Sequence, residues 1–333
     1  MYDIAIIGAG PVGIFTIFQA GMLGLKSCII DTLGFLGGQC NALYAEKSIY
    51  DIAGYPSISA EKLIENLTKQ AEPFKAQNYL NQQCNSITKK DGYWEISTSK
   101  SLIKAKTIII AAGGGTFEVR KPPIENIQNF EDISVFYHIK NKGTFKNKTV
   151  TIAGGGDSAL DWAVILASGI AKKVYIVHRR NNFRAAPKTV EEINRLTENG
   201  HIELITPYQL SKLKGKEGVL HEIEVKDLDN NIKLLKSDYL LPFFGMAMNI
   251  GPINCWNLSI INKHIEVNPE SMQTNLNGIY AVGDICTYPG KLKLILTGFA
   301  ESARACHSAY SYINPNVPLH FEHSTTKGLP NNL

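Results

Sequence analysis

Two stretches of the chain repeat one hydrophobic pattern. In YDIAIIGAGPVGIFTIFQAGMLGLKSCIIDTLG, residues Ile4, Ala5, Ile6 and Ile7 form a short continuous apolar run. Such a run suits a strand buried on both faces of a parallel sheet. A glycine turn follows, then helical spacing to about Leu23, then a second apolar run from Ser27 to Ile30. In KTVTIAGGGDSALDWAVILASGIAKKVYIVHRRNNFRA the order recurs: strand Thr149 to Ala153, glycine turn, helix, strand Lys173 to Val177. A third run, Ile279 to Val282, also ends on a glycine, and KLKLILTGFAESARACHSAYSYI beyond it reads as a turn and a helix. GYWEISTSKSLIKAKTIIIAAG predicts short β-strands. The class is α/β. At 333 residues the chain exceeds what one core usually supports, so two domains are expected.

The glycine turns carry the first chemical information. Gly8, Gly10 and Gly13 make G-x-G-x-x-G: a tight turn, a close approach for a pyrophosphate, and close helix–strand packing. Asp31 lies 18 residues after Gly13, where an acid accepts hydrogen bonds from a ribose hydroxyl. Gly154, Gly156 and Ala159 repeat the spacing, with Ala as the third small residue. Here His178 takes the place of the acid, followed by Arg179, Arg180 and Arg184. A carboxylate would repel a 2′-phosphate, whereas guanidinium groups bind one, so NADPH is expected there. Two such sites imply two dinucleotides, and FAD is the natural occupant of the first. Gly283 and Asp284 in GIYAVGDICTYPG would close the FAD site, and the helix after them could aim its N-terminus at the flavin.

The expected architecture is two Rossmann-like, three-layer ββα domains, the second inserted in the first. The FAD domain takes residues 1–115 and 246–333, and the NADPH domain takes 116–245. AAGGGTFEVRKPP and LPFFGMAMN mark the joints.

Composition narrows the picture by exclusion. A net charge of +4 does not by itself argue for nucleic acid. No run of 18 apolar residues appears and no secretory signal is visible, so no membrane span and a cytoplasmic location are expected. The six cysteines include no CxxC pair, so neither a vicinal dithiol nor a metal site is read, and all are expected to be thiols.

GAGPVG, GFLGGQC, IYDIAGYP, GGGDSALDWA, HRRNNFRA and GDICTYPGKLKLILTGF together resemble the low-molecular-weight thioredoxin reductase fold. Within it they resemble the thioredoxin-reductase-like ferredoxin (or flavodoxin)–NADP+ reductases, over essentially the whole chain. Thioredoxin reductases carry a CxxC before the second glycine turn, but here those places fall on His138 and Asn141. Other flavoprotein disulfide reductases use a C-x4-C after the first turn. Cys40 would be its first member, yet Ala45 stands at the second place. The resemblance therefore implies hydride transfer from NADPH to FAD, then single electrons to ferredoxin or flavodoxin, by a homodimer. The alternatives are an NADPH-dependent reductase of an external dithiol or a quinone, and a redox sensor.

The resemblance also implies FAD contacts at Asp31, Gln39, Tyr44, Ile87, Phe117, Asp284 and Thr325. It implies flavin stacking by Tyr50 and His323, with the C-terminal tail as a movable cover. Ile87 and Phe117, taken alone, read as core. Lys140, Lys142, Lys146 and Lys148 read as a solvated loop, with docking of an acidic ferredoxin as the alternative.

Overall fold

The computed structural model describes residues 1–139 and 141–319, together with 325 and 328; for 117, 118, 246 and 247 it describes the backbone alone. The chain divides into two compact units, Met1–Phe117 with Met248–Leu333, and Glu118–Ala247. The joints thus fall two residues later than the glycine- and proline-bearing connectors suggested.

The first unit is built on a seven-stranded sheet. Tyr2–Ile7 lies at its centre, parallel to Ser27–Ile30 on one side and to Leu102–Ile110 on the other. Gln77–Tyr79 extends the parallel part beyond Ser27–Ile30. On its other edge Leu102–Ile110 serves two partners. Its first half pairs antiparallel with Tyr93–Thr98, and its second half pairs parallel with Ile279–Ala281. Its burial changes accordingly: residues 102–106 alternate, whereas Thr107–Ile110 are buried throughout. Alternation marks a sheet with one wet face and continuity marks one covered on both.

Helices Pro11–Met22 and Ile295–Ile313 cover this sheet. They pack through small residues, with Thr16 donating to Ser302 at 3.0 Å. A methyl group on Gly298 would lie 2.4 Å from a Val12 methyl, so only glycine fits between them.

The second unit has a four-stranded parallel sheet in the order Ile202–Ile205, Lys173–Val177, Thr149–Ala153, Tyr239–Pro242. A three-stranded antiparallel sheet, Gln209–Lys216, Val219–Lys226 and Ile232–Lys236, adds a second layer. Helices Asp157–Ala167 and Pro187–Glu198 bury Leu160, Trp162, Ile193 and Leu196 in one core. Both units therefore combine parallel strands, antiparallel strands and helices; in the first the antiparallel strands Cys84–Lys90 and Tyr93–Thr98 continue the same seven-stranded sheet. Among the described residues no helix is long and apolar enough to cross a membrane.

Candidate functional site

The first strand ends at Gly8, whose φ is +109°. A methyl group there would lie 2.4 Å from the Ala111 carbonyl oxygen, and one on Gly13 would lie 1.9 Å from the Gly8 oxygen. Gly10 differs: a methyl group on it would meet nothing within 4 Å. Two glycines thus satisfy the fold, and the third leaves open space.

That space belongs to a cavity of about 490 Å³ in the first unit. Its volume lies in the usual range for cofactor sites. Gly8, Gly10 and Asp31 contribute from the opening motif, and Gly283 and Asp284 from the closing one. Leu294 and Ile295, at the start of the long helix, also line it. A helix N-terminus offers free N–H groups and a positive dipole end, as an anionic ligand requires.

Asp31 is held firmly. Its carboxylate accepts the Ala9 N–H at 2.6 Å and the Leu33 N–H at 2.8 Å. Burial pushes its carboxyl up from the usual range, against those two bonds. The segment after it docks on the glycine turn, with Gly37 N–H donating to Ala9 O at 2.8 Å. A methyl group on Gly38 would lie 2.9 Å from Gly10 Cα, so the short helix Gln39–Leu43 starts close against the turn. Gln39, Cys40 and Tyr44 line the cavity.

Cys40 is 1% exposed, with its sulfur 3.4 Å from the Tyr44 hydroxyl. Burial pushes its thiol up, away from the reactive thiolate. Cys84, also in the lining, is pushed up to about 12 by burial. All six cysteines are free. Asn141, at one place where a disulfide reductase has its redox pair, accepts the Gly143 N–H at 2.8 Å. Among the described residues no group of three or more His, Cys, Asp and Glu could hold a metal ion.

Other expected residues lie elsewhere. Ile87 is absent from the lining and packs partly buried against the core beside Ile96. The nearby wall comes instead from Gln82, Gln83 and Cys84, which carried no sequence signal. Phe117 lies in the strand Thr116–Val119, and its side chain is outside the described residues. Tyr50 is 74% exposed and outside the lining. Thr325 is exposed. His323 and Lys140 lie outside the described residues. Ala111, Ala112 and Gly113, read from sequence as part of a connector, are cavity wall. Their small side chains directly after a buried strand were the available signal.

The second glycine turn, in the other unit, is built differently. Gly154 has φ +154°, and a methyl group there would lie 2.6 Å from Phe243 O. Ala159 follows where the first turn has Gly13. The His178 ring rests on this turn: a methyl group on Gly155 would lie 2.4 Å from its Cε1. The ring also stacks on Phe183, with centroids 5.5 Å apart. Arg184 N–H donates to Gly155 O at 2.7 Å, and Ala186 N–H to Asp157 Oδ1 at 3.0 Å. Those bonds strap the basic loop to the turn. Arg179, Arg180 and Arg184 are exposed. Burial lowers the His178 pKa first, and the three arginines lower it further.

The residues fit the two dinucleotides that their spacing suggested. Gly10 leaves room for a pyrophosphate, Asp31 lines the same cavity at the end of the second strand, and the cationic loop adjoins the second turn.

Comparison with known proteins agrees in fold and extent. Residues 2–308 match the model of the pyridine nucleotide-disulphide oxidoreductases. A ferredoxin–NADP reductase of Ehrlichia canis is 54% identical over 331 residues, covering 99% of this chain and 98% of its own. One from Rickettsia felis is 54% identical over 326 residues, covering 98% and 97%. The thioredoxin reductase of Lactococcus lactis shares the fold at a TM-score of 0.79 and 24% identity, over 95% of this chain and 100% of its own. The chain belongs to the pyridine nucleotide-disulphide oxidoreductase family.

Proposed function

We propose that this protein is a ferredoxin–NADP+ reductase that exchanges reducing equivalents between NADP(H) and ferredoxin or flavodoxin. The observation that carries the reading is the state of the thiols. Cys40 and Cys84, the thiols of the cavity wall, are buried with raised pKa values, and neither is paired. An internal dithiol relay has no components at the places where such relays stand, so electrons leave for an acceptor outside the chain.

FAD held in this cavity would supply the chemistry that links a two-electron donor, NADPH, to a one-electron carrier. The chain's own residues bind and orient. Gly8, Gly10 and Gly13 shape the pyrophosphate turn, Asp31 holds the ribose, and Gln39 and Tyr44 flank the cofactor. Gly154, Gly156, Ala159 and His178 form the NADPH turn, and Arg179, Arg180 and Arg184 select the 2′-phosphate. The stacking roles of Tyr50 and His323, the contacts of Phe117 and Thr325, a homodimer and a cytoplasmic location belong to the same proposal on the strength of the family resemblance.

The test is direct. Purified protein is expected to be yellow and to bleach with NADPH, and cytochrome c reduction is expected to accelerate when ferredoxin or flavodoxin is added. Reduction of thioredoxin, with no acceleration by either carrier, would sink the proposal.

A further inference from the structure

Glu301 is an acidic residue on the helix Ile295–Ile313, and it is 1% exposed. Its two oxygens are fully used. Oε2 accepts the Gly283 N–H at 2.7 Å. Oε1 accepts the Tyr288 hydroxyl at 2.6 Å and the Lys291 ammonium at 2.5 Å. The Lys291 side chain is itself only 5% exposed. Cys286 sits in the same cluster, its thiol 3.2 Å from Gly283 O and 3.7 Å from Glu301 Oε2. One carboxylate therefore gathers partners from Gly283 to Lys291.

Those partners bracket the cavity. Gly283 and Asp284 line it before the gathered segment, and Leu294 and Ile295 line it after. Between them Cys286–Thr287 is a short strand paired with His264–Glu266, and residues 288–294 form an irregular loop with φ +79° at Gly290. Loops of this kind keep one shape only where something fixes them. The helix that carries Glu301 packs closely here, since a methyl group on Gly298, three residues earlier, would lie 2.4 Å from a Val12 methyl and 3.4 Å from Gly283 Cα.

We propose that Glu301, paired with Lys291, is a positioning residue for the flavin. It sets the Gly283–Asp284 turn and the first turn of the long helix as one wall, and so fixes where Asp284 and the helix N-terminus meet the cofactor. The inference rests on the reading that the cavity holds FAD. Removing one partner of a buried ion pair leaves an uncompensated charge, whereas removing both is far better tolerated. A clamp of this kind acts on FAD affinity and on the electronic state of the bound flavin.

Full-length Glu301→Gln, Lys291→Met and the double variant test it. FAD dissociation constants, the visible spectrum and the midpoint potential of the bound flavin are measured, with thermal unfolding of each apoprotein alongside. Each single variant is expected to weaken FAD binding about tenfold or more and to shift both spectrum and potential. The double variant is expected to bind FAD better than the worse single. Single variants with wild-type affinity, spectrum and potential overturn the proposal. So does weakened binding that merely follows lost thermal stability while the bound flavin's spectrum and potential stay put. A wild-type protein that binds no FAD overturns the flavin reading itself, which is a different result from unchanged variants of a yellow protein.

Discussion

The two glycine turns share a spacing and differ in what is fastened to them. At the first, a carboxylate is tied inward: Asp31 accepts the Ala9 N–H of the turn itself. At the second, a ring and a basic loop lie on the turn: His178 rests on Gly155, and Arg184 N–H bonds its carbonyl. The first arrangement suits a cofactor that stays, because its polar partner is half-buried and already oriented. The second presents exposed cations, which suits a ligand that arrives and leaves. Residue type at one position after each turn therefore separates a site suited to a ribose hydroxyl from one suited to a 2′-phosphate.

The largest break in that comparison is expected at the glycines of the first turn, of which Gly8 has a positive φ and Gly10 does not. Gly8→Ala places a methyl group against a carbonyl oxygen and should destabilise the apoprotein by about 3 kcal/mol or more, read by denaturant unfolding. Gly10→Ala should leave folding within about 1 kcal/mol of wild type and weaken FAD binding about tenfold, read by flavin fluorescence. Equal damage from the two would erase the distinction between fold-shaping and ligand-facing glycines.

Next comes the basic loop. The Arg179→Ala/Arg180→Ala double variant should raise the KM for NADPH about ten- to a hundredfold while leaving that for NADH and the flavin spectrum unchanged. An equal loss with NADH would show that these guanidinium groups do not read the 2′-phosphate.

A smaller effect is expected from pH. His178 has a lowered pKa in the folded chain, so the unfolded chain binds the extra proton first as pH falls. Its contribution to stability is full above the ordinary histidine value of ~6.5 and is lost below it. His178→Phe keeps an aromatic ring on Phe183 and should flatten the fall in unfolding midpoint between about pH 7 and pH 5. An unaltered slope would place the acid sensitivity elsewhere. The smallest effect is expected at Cys40→Ser, which should keep NADPH-to-carrier turnover; loss of turnover with FAD still bound would restore a redox role to that thiol.

What could be read from the chain had local causes. Strands Ser27–Ile30 and Thr149–Ala153 fall at the residues their apolar runs marked, because near-continuous burial dictates composition, and Lys173–Val177 falls as marked beside them. The glycine roles were legible because backbone crowding acts within a few residues. Glu301 was not legible. In sequence it is an ordinary acid on an amphipathic helix, and its partners lie ten to eighteen residues away with no period linking them. The Gln82–Cys84 wall was hidden for the same reason, since loop closure in space leaves no pattern in sequence. Ile87 shows the converse. Its own chemistry said core, and it packs against the core.

The divided strand Leu102–Ile110 has a consequence for biosynthesis. Its second half waits for Ile279–Ala281, and every strand of the four-stranded sheet, from Thr149 to Pro242, is made before that partner appears. A nascent chain can close the inserted unit while the surrounding sheet still lacks an edge. Asp284 and Ile295, needed to complete the cavity, come later still. The cavity is therefore complete only once nearly the whole chain has emerged, and truncated chains ending before Ile279 should be colourless even where their second unit is folded.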